Sequence, residues 1–71
     1  MTPKAAAQFR KVKAMLATET VWGRPLVREW RRGDLARLYW PDGSFIYVDG
    51  AGGVRSSGGA ATRAKIAHGL R

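Results

Sequence analysis

The chain contains no cysteine, so neither disulfides nor thiolate metal sites can reinforce its fold, and no oxidising compartment is required. Its single histidine, His68, leaves no second partner for a metal site or a base–nucleophile pair. Acidic residues are scarce: five Asp and Glu face thirteen Lys and Arg, which sets the formal net charge at +8 at pH 7. No apolar run approaches the roughly 20 residues that span a bilayer, and no secretory apolar stretch follows Met1. These absences argue against zinc fingers, secreted disulfide scaffolds and metalloenzymes, and lead us to expect a cytoplasmic protein with no metal and no cofactor. What is present is 71 residues, 45% of them hydrophobic, which is enough for one small folded domain rather than a disordered tail.

Residues Thr2 to about Thr18 predict a helix. Thr2 suits the N-cap and Pro3 the first helical position, where a missing N–H is harmless. Ala5, Phe9, Val12 and Leu16 recur at helical spacing as one apolar stripe, with Met15 at its edge. Lys4, Arg10, Lys11 and Lys13 lie mostly off it; such a basic amphipathic helix serves a membrane surface or, as we read it here, packs on a sheet. Thr20 to Pro25 reads as a connector whose Val21 and Trp22 tuck against the helix end or the sheet edge.

Three strands are expected next, at Leu26–Arg31, Leu35–Trp40 and Phe45–Asp49. Arg32-Gly33-Asp34 spells an integrin-type tripeptide but reads as a hairpin turn. Pro41-Asp42-Gly43 is the clearest local signal: a type I turn closed by a left-handed glycine. The glycine-rich stretch 50–59 is expected to be a flexible loop, with Val54-Arg55-Ser56 as an optional edge strand. As a phosphate-binding nest it is weak, having neither the Walker lysine spacing nor GxGxxG. A second helix should run from about Ala60 to His68, with Ser57 as candidate cap and Gly69 ending it so that Leu70 folds back. The fold class is therefore α+β in two layers: an N-terminal helix, a three- to four-stranded antiparallel sheet and a C-terminal helix within a single domain, 1–71.

The turn at Pro41–Gly43 also assigns faces. Pairing Trp40 with Ser44 sets Tyr39 opposite Phe45, Leu38 opposite Ile46, Arg37 opposite Tyr47 and Ala36 opposite Val48. One face is aliphatic (Ala36, Leu38, Ile46, Val48) and ends on Trp40. The other carries Arg37, Tyr39, Phe45 and Tyr47. A two-residue turn pairing Arg31 with Asp34 adds Arg28 and Trp30 to that aromatic face; a three-residue turn sends Trp30 to the core. Aromatic rings on a sheet stack unpaired bases at about 1–3 kcal/mol each, while arginines hold phosphates. The competing use of the same rings is as core under a second helix, and the exposure of Tyr47 decides between the two.

The order of elements is also that of double-stranded-RNA-binding domains and of small RNA-targeting toxins built on that plan. The likeness is topological: the Lys-Lys-x-Ala-Lys pattern, the first-helix glutamate and the strand histidine of those proteins are absent. The leading expectation is a non-catalytic nucleic-acid-binding module that uses Arg28, Arg37, Arg55 and Lys11 on phosphate and Tyr39, Phe45 and Tyr47 for stacking, with DNA or RNA left open. The alternatives are a small interaction or inhibitor protein that docks Trp22, Trp30, Trp40 and its arginines on an acidic protein surface, and a small basic RNA-targeting toxin. So thin a core also leaves room for completion by a second copy as a homodimer.

Overall fold

The first helix, α1, forms where the apolar stripe, the cap and the proline agree. In the computed structural model, which describes residues 1–71, α1 spans Pro3–Leu16. The Thr2 hydroxyl accepts the Ala5 N–H at 3.1 Å, and Pro3 opens the first turn. Ala5, Phe9, Val12 and Leu16 are its buried residues, as the spacing predicts.

Thr20–Pro25 is not a plain connector. Strands β1 (Thr20–Val21) and β2 (Arg24–Pro25) pair antiparallel around Trp22-Gly23. Both turn residues have positive φ, 56° and 75°, the requirement of a type I′ turn. The expectation that Val21 and Trp22 tuck inward is overturned: Trp22 is 97% exposed and Val21 is exposed beside it. The turn geometry aims the tip away from the body, and Leu26 N–H to Glu19 C=O at 2.9 Å closes its base.

Strands β3 (Arg28–Arg32), β4 (Leu35–Tyr39), β5 (Phe45–Val48) and β6 (Val54–Ser57) form a four-stranded antiparallel meander in chain order. The β3–β4 turn has two residues, Gly33-Asp34, with Arg32 opposite Leu35. This pairing lies two residues from the expected one, so parity is kept and Trp30 stands opposite Arg37 on the aromatic face. At the next turn Gly43 takes φ 86° and Trp40 N–H bonds Ser44 C=O at 2.9 Å, as the sequence predicts. The β4–β5 register comprises Leu38↔Ile46 and Tyr39↔Phe45. The expected continuation through Arg37–Tyr47 and Ala36–Val48 is not made; a cleft opens at that end instead.

The glycine-rich stretch resolves into a turn, a strand and a helix start, not one loop. Asp49 organises the turn by accepting from the N–H groups of Ala51 (3.0 Å) and Gly53 (2.8 Å). The second helix, α2 (Gly59–Ala67), has Gly58 rather than Ser57 at its N-cap, with no side-chain cap of its own. Its first N–H groups are met from the β4–β5 turn: Asp42 accepts from Ala60 at 3.4 Å and Ser44 Oγ from Ala61 at 3.0 Å. Ser44 is buried, and its hydroxyl donates to Asp42 Oδ1. At the other end Gly69 (φ 65°) lets Leu70 N–H reach Lys65 C=O at 2.9 Å and places Leu70 in the core.

Both helices pack on the aliphatic face. Phe9, Val12 and Leu16 of α1 and Ala61 and Ala64 of α2 join Leu38, Ile46 and Val54 of the sheet in one buried cluster. Glu29 and Arg31 point to the same side from β3, where Glu29 pairs with Lys13 of α1 and the Arg31 guanidinium lies 5.4 Å from the Phe9 ring centroid. Trp40 is buried there too, which removes it as a surface anchor for a partner.

Candidate nucleic-acid interface

With both helices on one side, the opposite face of the sheet has no covering element. The register places Arg28, Trp30 and Arg32 of β3 on it, with Leu35, Arg37 and Tyr39 of β4. Phe45 and Tyr47 of β5 follow, then Arg55 and Ser57 of β6. No acidic residue stands on this face within the four strands. Trp30 and Tyr47 are each 39% exposed, while Tyr39 and Phe45 are half-buried by their neighbours on the sheet.

The rings form a continuous row. Tyr39 and Phe45 centroids are 5.2 Å apart and Phe45 and Tyr47 centroids 6.1 Å apart, both pairs tilted. Such tilted contacts stabilise by about 0.5–1.5 kcal/mol beyond area burial. Arg37 lies across the row. Its guanidinium is 4.4 Å from the Phe45 centroid and 5.7 Å from that of Trp30, and it donates to Tyr39 Oη at 2.9 Å. One of its five N–H donors is engaged in that bond, and the guanidinium is planar and always charged.

Division of labour among the sequence-predicted residues follows. Phe45 is the floor under Arg37 rather than a free stacking surface, and Tyr39 orients that guanidinium. Tyr47 and Trp30 are the more exposed rings, the latter with Arg37 over it. Arg28 and Arg55 flank the row from β3 and β6, standing opposite Tyr39 and Tyr47 respectively. Arg55 also bonds Asp49 through Nε at 3.2 Å. Lys11 is not brought to this surface: it is exposed on α1, in the opposite layer.

The cleft at the open end of the β4–β5 ladder joins the platform directly. It is an open groove of about 500 Å³, lined by Arg37 and Tyr47 together with the apolar Ala5, Ala36 and Val48. Asp34 stands at its edge, paired with the Met1 ammonium at 3.3 Å.

Every acid in the chain is engaged structurally. Lys13 and Arg31 hold the Glu29 carboxyl below the ordinary carboxylate range. The Ser44 hydroxyl and N–H lower that of Asp42. The Gly53 N–H and Arg55 lower that of Asp49. Glu19 meets His68 Nε2 at 3.2 Å, which places the only histidine in a fold contact. The weak phosphate-nest reading of the α2 N-terminus fails for the same reason, since Asp42 already occupies it with negative charge.

Sequence reasoning assigned the sheet face correctly in parity but missed two features. The capping of α2 by Asp42 and Ser44 spans 17 or 18 residues and leaves no local trace. The β1–β2 hairpin has strands too short for periodicity; its one signal is a Gly at the second position of a two-residue turn. Comparison of the chain with protein-family models, with curated proteins and with solved structures finds no match.

Proposed function

We propose that this protein is a non-catalytic nucleic-acid-binding module that takes an unpaired strand across the exposed face of its sheet. The observation that carries the reading is the composition of that face: four arginines, four aromatic rings and no acid, left uncovered while both helices pack on the other side. Tyr47 and Trp30 stack bases; Arg28, Arg37 and Arg55 hold phosphates. The cleft beside Tyr47 and Arg37 lies in the size range of small-ligand sites and has room for a base leaving the row. An unpaired strand suits this surface better than a duplex, because rings on a broad sheet stack only on bases whose faces are free.

Binding should fall steeply with salt. Three or four phosphates neutralised on a single strand correspond to a log K against log salt slope of about −2 to −3. A fluorescence-anisotropy titration of labelled single-stranded DNA and RNA across a salt series measures it directly. Absence of binding at about 50 mM salt, where phosphate contacts are strongest, contradicts the reading. In that event docking on an acidic protein surface through Trp30, Tyr47 and the arginines takes its place.

A further inference from the structure

We propose that the β1–β2 hairpin is a second contact of the same site, in which the Trp22 ring stacks on one unpaired base of the strand held by the sheet. The inference rests on the nucleic-acid reading above and extends it to a segment that the platform does not include. Trp22 is the one non-glycine residue with positive φ, and its side chain is 97% exposed. A type I′ turn favours Asn or Gly at this position, so neither backbone geometry nor packing accounts for a tryptophan there. Strained backbone combined with a side chain that touches nothing marks a residue held for an external contact.

The surroundings point to an anionic ligand. Between Glu19 and Glu29 the chain carries Arg24 and Arg28 and no acid. The hairpin is also held in place: Thr20 pairs with Pro25, Val21 with Arg24, and the Leu26–Glu19 backbone bond ties its base to the end of α1. Trp22 is six residues from Arg28, within about 20 Å of it even at full extension. That keeps the tip within reach of a strand bound at Arg28.

The test compares W22N, W22F and Y47A in the full chain, each with a thermal melt and an anisotropy titration against labelled oligothymidylate. Asn relieves the positive-φ strain, so W22N should melt above the wild type yet bind about ten-fold more weakly. W22F should keep most of the affinity. If W22N binds as tightly as the wild type while Y47A loses affinity, the hairpin proposal falls and the platform stands. If the wild type does not bind at all, the platform reading falls and takes this one with it. A Trp22-dependent emission shift on anionic phospholipid vesicles, with none on oligothymidylate, assigns the tip to a membrane surface and overturns the proposal.

Discussion

Gly58 is the residue on which the joint between sheet and second helix turns. Its φ is 96°, and a Cβ there would stand 2.5 Å from Ser44 Cβ and 3.0 Å from Ser44 Cα. The contact is with backbone as well as side chain, so no rotamer change relieves it. Substitution G58A should destabilise by about 1–3 kcal/mol, read as a shifted urea midpoint. The neighbouring Asp42 carboxylate, like those of Glu29 and Asp49, titrates below its ordinary value in the folded chain. A carboxylate with a depressed folded pKa contributes stability that is full above its unfolded value and is lost as pH falls through the folded one. Thermal stability should therefore hold from neutrality to about pH 5 and drop below about pH 4. D42N, which cannot titrate, should start lower at neutral pH and show a shallower acid decline; an unchanged profile contradicts the assigned role.

At the scale of elements, the two faces of the sheet predict opposite responses to mutation. Phe9 is 1% exposed at the centre of the α1–sheet contact. F9A should cost about 3–5 kcal/mol, against a total of roughly 4–10 kcal/mol for a domain of this length, and circular dichroism should show substantial unfolding. Y47A removes a ring from the uncovered face, so it should leave the fold intact while weakening strand binding by about five-fold or more. Loss of folding in both variants would make Tyr47 a core residue. The face assignment was legible because Pro41-Asp42-Gly43 fixes a register and the residues from Ala36 to Tyr39 and from Phe45 to Val48 alternate between the two faces. What covers each face was not legible: the aliphatic side is small, and alternation does not say that α1 and α2 share it. Alanine supplies the reason, since Ala61 and Ala64 let α2 approach the sheet closely enough for both helices to fit. Strand β6 was half-hidden because Val54 is its only apolar residue and glycines flank it. The Trp22 turn was hidden because two-residue strands carry no pattern.

For the molecule as a whole, the +8 charge is not evenly usable. Three of the thirteen cations, Lys13, Arg31 and Arg55, form ion pairs with side-chain acids, which leaves ten without one. Those ten divide among the helices, the sheet face (Arg28, Arg32 and Arg37), the hairpin (Arg24) and the C-terminus (Arg71), and within the four-stranded sheet they are interleaved with rings. A field of this sign speeds encounter with any polyanion, whereas under the proposed function the ring row is what would discriminate an unpaired strand from a duplex or an acidic protein. No helix is long and apolar enough to cross a membrane. The central claim is about which face binds, and backbone amide chemical-shift mapping addresses it most directly. On adding a short single-stranded oligonucleotide at low salt, the account predicts shifts at Trp30, Arg37, Phe45 and Tyr47 and a quiet outer surface of α1. Shifts concentrated at Arg10, Lys11 and Ala14, with the sheet unmoved, would contradict it.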